Sequence, residues 1–476
     1  MSLRLSRRWV SIIAPIALFG CSVIAKSEAP QCANDNDCFV KFGGGFACQA
    51  GGCVSATSAA STSPVVSTLK DCRATQECVA ALGEGFLCRR DRDDPQKKGV
   101  CQQLTPSSDC TILGDYKNDQ VVLLGALLPG RTSPAFAAAV QRGLERAVDD
   151  WSGIERQLQT QTTGADTVAP PRPFAFIACS EDVPEADLRN IYLNSGTRLV
   201  VGPAVMNAQT ELLTTELTNA KIVFLSPTTF AAPTQGANVG TYFFRLAGNE
   251  AALGNVLKDV APKPTSLFRQ TTSYVGLATA LTTAIPGLTA VTYDDPNAFT
   301  FSGDPNSSVA VLGDGETATV LTRAAIKGTS YVLPSATPDI ATALGAGSTL
   351  PTLKSAKAAR STTVPSPAFA AGAFGDAEMY DAVYLALAAL AAVDPAVSPE
   401  DTKDEVLQAA LLRASAPAGK EIAAQSSAIK DLLTTLRASP DAMVHLSGAT
   451  GSLAITEQAT TRNLVVCTVD AVEGCK

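Results

Sequence analysis

Residues 121–151, VVLLGALLPGRTSPAFAAAVQRGLERAVDDW, decide the fold class. The run 121–129 is almost continuously apolar, the pattern of a strand buried on both faces of a parallel sheet. Ser133 and Pro134 then supply a helix N-cap and a first helical position. The helix predicted over 134–151 sets Phe136, Val140, Leu144, Ala147, Val148 and Trp151 on one face. The alternation continues with strand FAFIAC (174–179), helix 184–194, strand RLVVGP (198–203), helix 206–219 and strand KIVFLSP (221–227). Such a β-α-β-α series predicts a parallel, doubly wound α/β sheet, with binding loops at the C-terminal ends of its strands. Further along, SLFR, GLTAVTYDD, SSVAVLGDG and TSYVLPSA read as strands, and DDPNAFTFSGDPNSS among them is rich in turn residues. Helix 376–393 is rich in Ala and Leu, but Asp381 lies inside it. Charge at bilayer depth is costly, so a buried packing helix is expected rather than a membrane span.

The chain has 476 residues, of which 17% are charged, against about 25% in a typical soluble protein. Its net charge of −8 leaves no basic footprint for nucleic acid. The single histidine, His445, excludes a multi-histidine metal centre and leaves little room for imidazole acid–base chemistry. No G-x-S-x-G, P-loop, H-E-x-x-H or dinucleotide fingerprint occurs. Two S-x-x-K matches, Ser67–Lys70 and Ser427–Lys430, fall in a linker and in a helical stretch, where chance explains them. The expectation is a non-enzymatic chain with no cofactor and no metal.

The N-terminus reads MSLRLSRRWVSIIAPIALFGC. Arg4, Arg7 and Arg8 precede an apolar stretch from Trp9 to Phe19, too short to span a bilayer, which needs about 20 residues. The ending resembles the bacterial lipobox, with Leu18 at −3, Gly20 at −1 and Cys21 as the residue to be acylated. That implies a signal peptide over 1–20 and stable attachment through two or more acyl chains. Ser22 at +2 points to the outer membrane by the sorting rule of enteric bacteria.

Cys21 makes the total of 13 cysteines odd, and twelve remain without it. Eight form a double repeat: Cys32, Cys38, Cys48 and Cys53, then Cys72, Cys78, Cys88 and Cys101. Both copies begin C-x5-C-x9-C, and Gly43, Gly45 and Phe46 recur as Gly83, Gly85 and Phe86. Segments this short bury too little apolar surface to fold unaided, so disulfides stand in for a core. Spacing alone leaves all three pairings per copy open. A Ser/Thr/Ala linker separates the copies, and the region 21–110 reads as a stalk or a contact module. Cys467 and Cys475 are close enough to form a short loop, which leaves Cys110 to pair with Cys179.

Several segments of the region 111–476 resemble the type I periplasmic binding proteins of the branched-chain amino-acid receptor group. LLGALLPGRTSPAFAAAVQRGLERAVDDW carries that family's opening strand ending in L-P and its G-x-x-x-A-V-[DE] helix, here Gly143, Ala147, Val148 and Asp149. RLVVGPAVMNAQT is similar to its V-x-G-P loop, IVFLSPTTF to its I-S-P-x-x-T strand end, and TYFFRLAGNEAALG to the segment entering the second lobe. Tyr380, Asp381, Ala382, Val383 and Tyr384 match its Y-D-A-V-Y helix, and LSGATGSLAI its late G-x-T-G-x-L strand. The resemblance implies two Rossmann-like lobes that close on a ligand. Lobe one would take about 116–246 and 365–440, and lobe two about 250–360 and 445–476.

Ligands of such folds bind between the lobes, at strand C-termini and helix N-termini. That nominates Gly130, Arg131, Ser180, Met206, Asn207, Thr228, Thr229 and Phe230, with Tyr274 from lobe two. In amino-acid-binding members, hydroxyls after the G-P and S-P strands hold the ligand carboxylate. Here Ala204, Val205, Met206 and Asn207 supply no hydroxyl after the first. After the second, the expected threonine is Thr229 or is replaced by Phe230, depending on register. Arg131 could replace the lost donors for an anionic ligand. Two functions are implied. One is a lipid-anchored extracytoplasmic receptor for a small polar, amino-acid-like solute, serving an ABC permease or a sensor. The other is an outer-membrane lipoprotein that uses the fold to contact an envelope protein or a cell-wall synthase.

Overall fold

A computed structural model describes residues 46–49, 52–55, 71–89, 99–105, 107–160, 170–347, 349–358, 369, 374–393, 404–456, 459–460, 464–470 and 474–475. The expected signal peptide, Cys21, Cys32, Cys38 and most of the inter-repeat linker lie outside the described residues. The chain divides into a unit Met1–Val65 and a unit Val66–Lys476.

In the first unit, strands Phe46–Gln49 and Gly52–Ser55 form an antiparallel hairpin with Cys48 opposite Cys53. The second cysteine repeat falls in the larger unit. Its strands Asp71–Cys72, Phe86–Arg89 and Gly99–Gln103 and helix Thr75–Leu82 are bound by disulfides Cys72–Cys88 and Cys78–Cys101. Leu87 and Leu104 share a core with Tyr116 and Val121, and the Thr75 amide donates to Asp119 at 2.8 Å. The repeat is thus docked on the large sheet rather than standing off it.

The first large sheet has eight strands. Their order is Ile455–Thr456, Ala459–Thr460, Phe243–Arg245, Val223–Ser226, Leu199–Val201, Val122–Leu128, Phe174–Ser180 and Cys110–Gly114. All the inner pairs are parallel, as the unbroken apolar runs require, and the two outermost are antiparallel. The disulfide Cys110–Cys179 joins the last pair across register-matched residues. The second sheet runs Thr289–Tyr293, Ser266–Gln270, Val309–Leu312, Ser330–Val332, Leu353–Ala358, Leu464–Asp470 and Gly474–Cys475. Its first five strands are mutually parallel. Cys467, within it, is disulfide-bonded.

Helix Pro134–Thr160 extends beyond the predicted 151. It meets helix Asp376–Ala392, which is buried along its whole length. Gly143 lies at the crossing, where a Cβ would overlap the Asp376 carbonyl oxygen. The Asp381 carboxylate accepts from the amides of Ala449 and Thr450, both at 2.8 Å. Those donors are what allow a charge inside so apolar a core.

Two features shape the way the lobes are completed. Val444, Leu446, Leu453 and Ile455 pack with helix Asp376–Ala392, so the chain rejoins the second sheet only at Leu464. The stretch 294–308 contains no helix. Instead Phe299 and Phe301 sit edge-on to Phe268 at 5.1 and 4.9 Å and cover the sheet. Among the described residues, no helix is long and apolar enough to cross a membrane.

Candidate ligand site between the lobes

The two sheets approach each other at the C-terminal ends of their parallel strands. A small pocket of about 10 Å³ lies there, lined by Ala204, Thr228, Thr229 and Phe230 from the first lobe. Tyr274, Leu277, Leu333, Pro334 and Ser335 line it from the second. Four nominated residues, Thr228, Thr229, Phe230 and Tyr274, therefore meet around one space.

The other nominated residues are accounted for by the fold. Asn207 caps helix Ala208–Asn219 in a reciprocal capping box with Thr210, and Met206 is buried in the core. Ser180 Oγ accepts from the Asp182 amide at 3.1 Å, and Asp182 accepts from the Arg131 amide at 2.8 Å. Gly130 leaves no room for a Cβ, which would meet that carboxylate. The Arg131 side chain is 77% exposed and pairs with Asp109 at 2.9 Å and Asp182 at 3.7 Å. Its guanidinium is thus engaged within its own lobe.

Most hydroxyls around the pocket are committed as well, although Thr229 Oγ1 only accepts, from the Ala231 amide at 3.2 Å. Ser226 Oγ donates to the Pro203 carbonyl at 2.7 Å, and Thr228 Oγ1 to the Ala204 carbonyl at 2.5 Å. Tyr274 OH and Ser335 Oγ each donate to the Asp314 carboxylate at 2.6 Å. Tyr274 holds a left-handed backbone at φ 57°, a conformation bulky residues rarely adopt and one that concentrates at functional sites.

Two buried acids complete the site. Asp314 follows strand Val309–Leu312, and Glu181 follows strand Phe174–Ser180. Both therefore occupy strand ends, where ligands are expected; Glu181 falls in the nominated loop 180–182, whereas Asp314 is not among the nominated residues. The GDGE stretch 313–316 read only as the end of a strand. Burial, with the nearby Glu316, pushes the Asp314 carboxyl up to about 7. Burial, then Asp314, pushes the Glu181 carboxyl well above the usual range, against backbone hydrogen bonds from Val205 and Ala204. None of the ion pairs among the described residues involves Glu181 or Asp314.

The lobes touch beside this site. Gly315 N–H donates to Ser133 Oγ at 2.9 Å, and a Cβ on Gly315 would overlap the Thr132 carbonyl. Asp339 of the second lobe accepts from the Ala135 amide at 2.9 Å, capping helix Pro134–Thr160 from across the gap.

An extracellular ligand binding receptor from Desulfohalobium retbaense superposes with a TM-score of 0.50 at 12% identity, over 74% of this chain and 58% of that one. The fold is that of the type I periplasmic binding proteins. The periplasmic-binding fold also relates the chain to a solute binding protein from R. palustris in complex with benzoate. There the TM-score is 0.48 and the identity 14%, over 75% of this chain and 94% of that one. LivJ from Streptococcus pneumoniae, in complex with isoleucine, gives 0.45 and 17% over 74% and 97%. No family model and no curated protein matches the sequence.

Proposed function

We propose that the chain is an extracytoplasmic solute-binding protein, anchored by lipid on Cys21, whose lobes close on a small ligand. The observation that carries this reading is a pocket walled by both lobes at the strand ends, with hydrogen bonds already bridging the lobes beside it. Its mechanism is hinge closure, in which ligand contacts stabilise the closed state over the open one. An ABC permease or a sensor would receive the closed form, as the fold's transport members suggest.

One observation favours a second reading, an envelope lipoprotein that contacts another protein and holds no small ligand. The pocket's cavity volume is about 10 Å³, room for little more than one water molecule. Thermal-shift screening of the detergent-solubilised full chain against amino acids, amines, amides, urea and short organic acids separates the two. A true ligand at 100 times its Kd stabilises by about 2.7 kcal/mol. A complete absence of response across that panel favours the second reading.

A further inference from the structure

Glu181 is 6% exposed, and its Oε1 is buried without a hydrogen-bond partner. Its carboxylate is met by the Ala204 and Val205 amides, and Ala204 is itself part of the pocket wall. Asp314, 9% exposed, is held against the same pocket by Tyr274 and Ser335, two of its lining residues. One acid thus comes from each lobe. An unpaired buried carboxylate is unfavourable by several kcal/mol unless a proton or a cation compensates it.

The rest of the site offers an anion one uncommitted hydroxyl, that of Thr229. Hydroxyls of Ser226, Thr228, Tyr274 and Ser335 are already donating to protein acceptors, and Arg131 is engaged by Asp109 and Asp182. A ligand carboxylate would therefore add an unpaired charge to an acidic pocket. The remaining walls, Phe230, Leu277, Leu333 and Pro334, are apolar.

We propose that the solute is a compact organic amine cation without a carboxylate, its ammonium held between Glu181 and Asp314 and its hydrocarbon part against Phe230, Leu277 and Leu333. This inference rests on the solute-binding reading and names the class of solute. A zwitterionic amino acid satisfies only half of what the pocket presents. An ammonium supplies a donor to Glu181 Oε1, which now lacks one, and can share the Asp314 carboxylate with Tyr274 and Ser335.

Three probes of equal shape decide it: isobutylamine, isovalerate and valine, titrated calorimetrically and by thermal shift into the full chain at pH 7.5. The expected result is binding of isobutylamine alone. Glu181→Gln and Asp314→Asn should each weaken it tenfold or more. Glu181→Gln should also leave the unliganded melting temperature equal to or above that of the parent, because a neutral amide does not carry the cost of ionising a buried carboxyl. Binding of valine or isovalerate in preference to the amine overturns the cation assignment and leaves solute binding intact. Unchanged amine affinity in both variants overturns it as well. Silence from all three probes while an amide or organic acid of the wider panel binds also overturns the assignment alone. Silence from the whole panel overturns solute binding, and this inference with it.

Discussion

At the scale of the residue, the chemistry turns on acids that the fold has brought together. Asp314 has an ordinary carboxyl value of 3.8 when free of the fold and one of about 7 within it. A raised value means that the compact form prefers the protonated acid. Its stabilising contribution is complete below about 3.8 and is lost as pH rises toward 7. Glu181, buried beside it, shifts in the same direction, and Glu316, Asp182, Asp339 and Tyr274 are the other titratable groups around the pair. The unliganded chain should therefore be more heat-stable and more compact at pH 5 than at pH 8. Melting curves and small-angle scattering across that range would check this. Asp314→Asn should flatten both profiles, and a wild-type profile already flat between pH 5 and 8 would contradict the shift.

At the scale of the element, the contact between helices Pro134–Thr160 and Asp376–Ala392 is set by a missing side chain. Gly143 has no room for a methyl group against the Asp376 carbonyl, so Gly143→Ala should cost about 1–3 kcal/mol in denaturant unfolding. Asp381→Ala should cost about 3 kcal/mol or more, because two backbone amides and the Thr450 hydroxyl lose their buried acceptor. Both positions stood out in the sequence, Gly143 in its spacing to Ala147 and Asp381 as a charge in an apolar helix. The strands were legible for a related reason, since runs such as FAFIAC and KIVFLSP satisfy a sheet covered on both faces. So were Thr228, Thr229, Phe230 and Tyr274, which sit where a strand ends and its loop begins. The pairing of Glu181 with Asp314 was not legible. It joins residues of different lobes, and no local pattern encodes which strand ends will face each other. The course of 444–460 was missed likewise, because its apolar residues could have served either sheet and only packing on helix Asp376–Ala392 decides.

At the scale of the whole molecule, closure is limited by how near the lobes can come. Gly315 permits the Thr132 carbonyl to approach, so Gly315→Ala should hold the lobes apart. Ligand affinity should then fall tenfold or more with far-ultraviolet circular dichroism unchanged, and an unaltered affinity would show that the contact does not limit closure. Attachment is separable from closure. Cys21→Ala should move the chain from the membrane to the soluble fraction and abolish incorporation of labelled palmitate, and continued sedimentation with membranes would rule out acylation of Cys21.

The placement of the disulfides has a mechanical meaning for a chain held at its N-terminal end. Tension from that end reaches the larger unit first at the second cysteine repeat, closed by Cys72–Cys88 and Cys78–Cys101, and next at Cys110, the first residue of an edge strand. Pulled from its end, an edge strand peels from its neighbour one hydrogen bond at a time. Cys110 is tied to Cys179 at that very end, so the load passes by covalent bond into strand Phe174–Ser180, inside the sheet. Were the chain tethered through Cys21, drag would pass into the sheet's interior along the strand that ends beside Glu181.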